Sequence, residues 1–501
     1  MPTRLHPAFS LAVAAGIAAA SAPSAVAQIS NAEYAARRAA LAASLDSGVV
    51  LAFGGVEVTS HWPTFQQLPA FQYLSGFRET DAVLLMVKRG GAAAWTMFVP
   101  SRSAIQERWV GARTRPSDMN SRIGIPGRDI AGLDSAVDSL AAGRLPFYII
   151  PDVQADDYAE EDSLTRGSRY LARLRLAHPW LETYSLDSTV RRLRAKKSPA
   201  EIALLRKATE ISVRAHTEAM KATAPDCGEY EIQALLEGTF RRFGGDRPGY
   251  GSIVGSGPNA TILHYMEDSR VMRDGELLLV DAATSFDHYS ADVTRTFPVN
   301  GRFTPTQRDI YQIVLDAQDA FVRQIKPGVS VEVASDSGQA VVAKGLVRLG
   351  LIESPDATFD PPPGGTCPSE GCLQLRVFAL HGYGGHGIGL EVHDPAQYYA
   401  SDGKFGVGDV FTVEPGIYVS PDLLGSLPDT PKNRAFLAKI RPAARKYSGI
   451  GVRIEDDYAL TDKGLEWLSQ GSPREMARIE ELMRGREIEL PGGGACGRVK
   501  T

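Results

Sequence analysis

The sequence predicts a two-domain protein of the α/β (α+β) class, a smaller α/β N-terminal domain followed by a larger C-terminal one. Length is the first reason: 501 residues are more than one core supports when domains run to about 150 residues. The second is a change of pattern near residue 190. Before it, short apolar runs alternate with helical stretches, and after it a long capped helix leads into strand-like runs that end on acids. The third is the Arg191–Lys197 segment at the change, with five basic residues in seven positions, which reads as a solvated linker.

Hydrophobic residues make up 44% of the chain and charged residues 23%, with a net charge of -5. These are globular values that exclude a disordered chain or a membrane bundle. So small a net charge gives no global field for nucleic acid. Residues 1–27 stand apart. Arg4 precedes a run of 13 small and apolar residues, Ala8–Ala20, and Ala25-Val26-Ala27 closes the segment before Gln28. This has the form of a secretory signal peptide. It is shorter than the roughly 20 apolar residues a spanning helix needs, so no stable membrane insertion is expected. The mature protein is expected in the periplasm or outside the cell.

Export places the four cysteines in an oxidising compartment. Cys367 and Cys372 bracket a short Pro- and Gly-containing stretch, which favours a bridge across an exposed loop. For Cys227 and Cys496 the sequence leaves pairing open.

The N-terminal domain is expected over residues 28–190, with strands at Val49–Phe53, Ala82–Val87 and Phe147–Ile150. The C-terminal domain is expected over residues 198–470. Ser198, Pro199 and Glu201 form a helix start in which serine caps, proline fits the first turn and glutamate returns a bond to the cap. Ile202, Leu205, Ala208, Ser212, Ala215 and Ala219 continue at helical spacing and give one buried face. Thr304, Pro305 and Gln307 repeat that logic, as do Ser472, Pro473 and Glu475 before a last helix and Gly-rich tail, residues 471–501. Glu276–Asp281 and Val410–Glu414 read as strands, each closed by an acid.

Those acids carry the chemistry. Asp281 closes an apolar run, and Asp292 precedes another at Val293–Phe297. Glu414 and Glu455 lie among β-branched apolar residues. A buried carboxylate must be paired, hydrogen-bonded or bound to a cation, and buried acids recur here too often for chance. Of nine histidines, His381, His386 and His393 fall within thirteen residues that also hold five glycines. Acids at strand ends with one or two imidazoles suit a site of oxygen-rich metal ligation. Four carboxylates match two divalent ions better than one.

At this point the chain resembles the pita-bread metallopeptidases, in the Xaa-Pro aminopeptidase (aminopeptidase P) and prolidase branch. The motifs are Val280–Ala283, Ser290–Pro298, His386–Asp394, Val413–Gly416 and Gly451–Asp456, in the family's order. The resemblance spans Ser198–Leu468 and extends more weakly to Phe71–Phe77. It implies a pita-bread domain after a smaller creatinase-like domain, with Asp281, Asp292, His386, Glu414 and Glu455 as ligands of two metals. It implies substrate roles for His264, in a Gly255–Tyr265 segment similar to the family's, and for His393. His381 stands five residues before His386 where the family commonly has four, so a substrate role for it depends on a loop one residue longer. Relative to the family there are insertions around Ser354–Cys372 and Ser420–Tyr447.

The expected mechanism is attack by a water activated between two metals, with Glu414 as acid/base. Arg453, two residues before Glu455, would share its face in a strand and bind a substrate carboxylate or steady the metal carboxylates. The expected substrate is a peptide with proline at its second position. Alternatives are a prolidase, another di-metal amide or ester hydrolase, and a metal-free binding module, which should have lost ligands. Mn²⁺ suits carboxylate-rich ligation best, with Co²⁺, Zn²⁺ or Fe²⁺ as other choices. Relatives imply a homodimer or homotetramer.

Overall fold

A computed structural model describes residues 28–56, 65–152, 165–363, 367, 372–379, 384–395, 402–422, 425, 427–485 and 496. The leader at residues 1–27, His381 and most of the tail lie outside them.

The N-terminal domain runs through α1 (Asn31–Ala43), β1 (Gly48–Phe53), α2 (Pro69–Ser75), β2 (Val83–Arg89), β3 (Ala92–Val99), α3 (Ala104–Val110), α4 (Met119–Ile123), β4 (Gly127–Asp129), α5 (Leu133–Ala142), β5 (Phe147–Ile150), α6 (Arg166–Ala177) and β6 (Thr183–Ser185). Its six strands form one mixed sheet in the order β4-β3-β2-β1-β5-β6. β1 is buried along its whole length, as a central strand covered on both faces must be. The run Val49–Phe53 is apolar throughout for that reason. One face carries Val49, Leu51 and Phe53 against α5, and the other carries Val50 and Ala52 toward α2 and the second domain.

Helix α7 (Asp187–Ala195) leads into α8 (Pro199–Ala222). The α8 start has its full cap: Ser198 Oγ accepts from Glu201 N at 3.2 Å, and Ser198 N donates to Glu201 Oε2 at 2.8 Å. All six residues of the face read from sequence are buried. The basic segment between the domains is a solvated linker only in part, since Arg192 and Lys196 are exposed and Arg194 and Lys197 are not. Most of it is the last two turns of α7, and Arg194 and Lys197 are buried and paired with acids of the C-terminal domain. A basic run looks the same in sequence whether its partners are water or distant carboxylates.

The C-terminal domain continues with α9 (Glu229–Arg242), β7 (Arg247–Pro248), β8 (Ile253–Ser256), β9 (Leu277–Asp281), β10 (Thr284–Phe286), β11 (Tyr289–Ser290), β12 (Thr294–Pro298), α10 (Pro305–Val322), α11 (Val331–Leu349), β13 (Thr358–Phe359), β14 (Cys372–Leu373), β15 (Val410–Val413), β16 (Gly416–Val419), α12 (Pro431–Tyr447), β17 (Ile450–Arg453), β18 (Asp456–Thr461), β19 (Gly464–Trp467) and α13 (Met476–Arg484). Short antiparallel sheets, β12-β9-β8, β15-β18-β19 and β16-β17, are stitched by a bridge between Thr294 and Glu455. Helices α8 to α12 pack their apolar faces on them in one large core. The Thr304 cap of α10 forms as read.

The last helix does not begin at Pro473. It starts at Met476, with no side-chain cap from Glu475, because Arg474 turns inward to Asp319 and Gln318 and holds the preceding residues in the core. The cysteines are joined as Cys227–Cys496 and Cys367–Cys372.

Candidate metal centre

The site forms where the short sheets meet. Antiparallel pairing of β9 with β12 sets Asp281 opposite Thr294, and Asp292 lies in the turn into β12. Glu414 follows β15. Glu455 lies between β17 and β18, its N–H donating to Thr294 O at 3.1 Å while Thr294 Oγ1 donates to its Oε2 at 2.6 Å. His386 is fixed by Thr412 of β15, whose N–H donates to the His386 carbonyl at 2.9 Å and whose Oγ1 accepts from His386 N at 3.2 Å. The preceding Gly385 allows this approach, since a Cβ there would stand 1.8 Å from Thr412 Oγ1.

All five residues are thereby brought together. His386 Nε2 is 3.4 Å from Asp292 Oδ2 and 3.6 Å from Glu414 Oε1. Asp292, His386 and Glu455 each offer a donor atom within 4.8 Å of the others'. Asp281 joins through Tyr250, whose Oη stands 2.7 Å from Asp281 Oδ1 and 2.5 Å from Asp292 Oδ1. One phenol carries one donor proton, so it satisfies one of the two carboxylates at a time.

Burial pushes Asp292 well above the ordinary carboxylate range, and the nearby Asp281 adds to the shift. Glu455 is raised by burial and by Asp292, Glu414 and Asp281. Glu414 is raised by burial, against His386, to about 7. His386 is lowered by burial. The acids are crowded by one another in a largely buried site, and Arg453 is the guanidinium that meets them. Such a donor set fits divalent cations: oxygen-rich, with one imidazole, and short of positive charge.

For Arg453 the structure favours the second of the two roles read from the sequence, the steadying of a site carboxylate. Its Nη2 bonds Asp281 Oδ2 at 2.5 Å and lies 3.4 Å from the Leu263 carbonyl, and its Nη1 donates to Tyr418 Oη at 2.9 Å. The side chain is buried, with both Nη atoms held by the protein, so it steadies a site carboxylate and does not present an edge to a substrate carboxylate. His393 packs its ring edge-on against His386, centroids 4.0 Å apart. His264 is exposed beside Leu263, on the loop whose carbonyl meets Arg453.

Sequence reasoning missed Tyr250 and Thr294, which position the acids, and Tyr418, which holds Arg453. Thr294 and Tyr418 sit in ordinary strand contexts. Tyr250 had a signal in its two flanking glycines, for a Cβ on Gly249 would lie 2.0 Å from Ser290 Oγ.

Comparison with known proteins bears on this geometry. Residues 203–462 match Metallopeptidase family M24, and residues 34–147 match the aminopeptidase P N-terminal domain. The chain is 33% identical to an Xaa-Pro aminopeptidase of Escherichia coli (strain K12), over 91% of this chain and 98% of that one. It is 34% identical to an Xaa-Pro aminopeptidase of Haemophilus influenzae, over 84% and 88%. A solved structure of zinc-substituted E. coli aminopeptidase P in complex with product superposes with a TM-score of 0.74, at 32% identity, covering 92% of this chain and 100% of that one.

Proposed function

Because the chain belongs to metallopeptidase family M24 and is a metallo-exopeptidase, we propose that it hydrolyses the bond between an N-terminal residue and a following proline, at the centre formed by Asp281, Asp292, His386, Glu414 and Glu455. The observation that carries the proposal is the convergence of these residues, Asp292, His386, Glu414 and Glu455 by direct proximity and Asp281 through Tyr250. Those residues would hold two divalent ions, with Mn²⁺ the ion best suited to so many carboxylates. Bound there, the ions would lower the pKa of a water and stabilise charge on the carbonyl oxygen.

The chain's own groups do the rest. Glu414 is the more open of the acids His386 faces, its side chain 18% exposed against 7% for Asp292. It is therefore placed to take the water proton at Oε1 and return it to the leaving proline nitrogen, which departs as a secondary amine. His393, edge-on against His386, and His264, on the loop whose carbonyl meets Arg453, orient the substrate carbonyl. Arg453 and Tyr250 hold Asp281 and Asp292 in register.

We also propose export. The support is the leader, Arg4 before Ala8–Ala20 and a close at Ala27, together with the joining of all four cysteines in pairs. Among the described residues no helix is long and apolar enough to cross a membrane.

The test is a panel of Xaa-Pro dipeptides and Xaa-Pro-Yaa tripeptides, assayed after chelation and after return of Mn²⁺, Co²⁺, Zn²⁺ or Fe²⁺. Cleavage of tripeptides that chelation abolishes and metal restores is expected. Cleavage confined to dipeptides would make the enzyme a prolidase, and equal rates without proline would remove proline from the reading.

A further inference from the structure

We propose that Arg194, at the end of the helix joining the two domains, is a positioning residue for His393, acting through Asp394 and Glu391. The two site histidines are the ends of one loop. Asp394 N donates to Gly387 O at 2.6 Å and closes that loop, which sets the His393 ring against His386. What keeps the loop closed comes from outside it. Arg194 Nη2 is 2.5 Å from Glu391 Oε2 and 2.9 Å from Asp394 Oδ1. Lys197 Nζ donates to the Asp394 carbonyl at 2.7 Å and to the Arg194 carbonyl at 2.8 Å. Asp394 Oδ2 accepts from Leu390 N, so the carboxylate is divided between its own loop and the interdomain helix.

The contact is built closely. A Cβ on Gly389 would stand 2.3 Å from Asp394 Oδ2 and 2.8 Å from Lys197 Cε, so the loop has glycine where it passes over the pair. On either side of Gly389, Ile388 and Leu390 enter the apolar cluster that also holds Phe71, Leu74 and Val190. Helix α7 is itself tied to the N-terminal domain, Tyr73 Oη donating to the Leu193 carbonyl at 2.8 Å. A path of direct contacts thus runs from that domain through Leu193 and Arg194 to Asp394 and the adjoining His393.

Removing a partner that orients a metal ligand commonly costs about 10- to 100-fold in activity, and a loss toward the lower end of that range is expected for a partner that orients a substrate histidine. This inference rests on the substrate role proposed for His393, and a double-mutant cycle in the full-length, metal-loaded enzyme separates the two. Arg194→Met should lower kcat on an Xaa-Pro tripeptide about tenfold with metal content unchanged. In the His393→Ala background it should cost nothing further. Arg194→Lys should recover part of the rate. A single ammonium cannot match a guanidinium that meets both acids, so this variant also serves for the cycle should Arg194→Met not fold. An equal fractional loss with and without His393 would overturn the positioning role, as would loss of metal in step with rate. Full activity in His393→Ala would instead overturn the role assigned to His393.

Discussion

Glu455 and Asp456 are neighbours in sequence, both buried, and opposite in character. Successive residues of an extended chain face opposite ways. Glu455 faces the cluster of acids and is pushed up by burial and by Asp292 and Glu414. Asp456 faces Arg295, 2.6 Å away, Ser469 at 2.5 Å and Arg474 at 3.9 Å; despite its burial, Arg295 and then Arg474 hold it below the ordinary range. The difference teaches that burial alone does not assign an acid. For this pair the difference is the countercharge, and Arg295 and Arg474 make Asp456 part of the framework. Glu455 faces other acids, and its countercharge would come from a bound cation.

The strongest way to break the contrast is to remove an acid from the uncompensated side. Asp292→Asn should leave the domain folded but lower metal content, and with it peptidase activity by about a thousandfold or more. Metal analysis beside kcat/KM on an Xaa-Pro peptide decides it. An active variant with its full metal complement would remove Asp292 from the centre. His393→Ala should keep its metals and lose rate, which separates ligand from substrate group in the same pair of measurements.

On the compensated side the expected loss is in stability. Arg295→Met strands Asp456 in the core, and breaking a buried pair from one end costs about 3–5 kcal/mol. Denaturant unfolding should show it. A change below about 1 kcal/mol would mean the pair is not what neutralises Asp456.

Tyr250→Phe should have a smaller effect, because it removes a hydrogen bond to Asp281 and Asp292 and leaves both acids in place. Metal affinity should weaken about 10- to 100-fold, measured by competition with a chelator, with little change in unfolding.

The smallest effect concerns His216, a buried group that stays neutral, with Nε2 2.9 Å from the Ala282 carbonyl. Burial pushes its imidazole down to about 4. Between about pH 6.5 and 4 the unfolded chain therefore binds a proton that the folded chain refuses. Its contribution is complete above that window and declines as pH falls through it. His216→Gln, which keeps a donor for the carbonyl, should reduce the loss of stability between pH 7 and 5, by up to about 1.4 kcal/mol per pH unit. An unchanged slope would show that His216 does not couple to the acid limb.

Much of the fold was legible because local rules agreed with the global ones. The Ser198 and Thr304 caps, the helical spacing from Ile202 to Ala219 and the strands that end on acids all follow from side chains a few positions apart. The gathering of Asp281, Asp292, His386, Glu414 and Glu455 was legible by another route, as what the family resemblance implied, while the buried acids and clustered histidines pointed only to a metal site. What escaped depends on contacts far apart in sequence. Arg194 and Asp394 are 200 positions apart, and nothing near Arg194 says that its partners are carboxylates and not water. The orientation of Arg453 toward Asp281 and Tyr418, and the bond from Tyr250 to two acids, depend on how separate sheets meet. Ser472 carries every local mark of a cap, and the inward pull on Arg474 overrides it.

The Cys227–Cys496 bond spans a sequence separation of 269, and Asp281, Asp292, His386, Glu414, Glu455, His264, His393 and Arg453 all lie between its two ends. Topologically the working half of the enzyme is a closed ring, with the N-terminal domain as a branch attached at Cys227. A ring cut once remains a single molecule. A protease that clips any exposed loop between those cysteines releases no fragment, and the severed ends stay tethered on both sides of the cut. That arrangement converts a backbone break from dissociation into a nick.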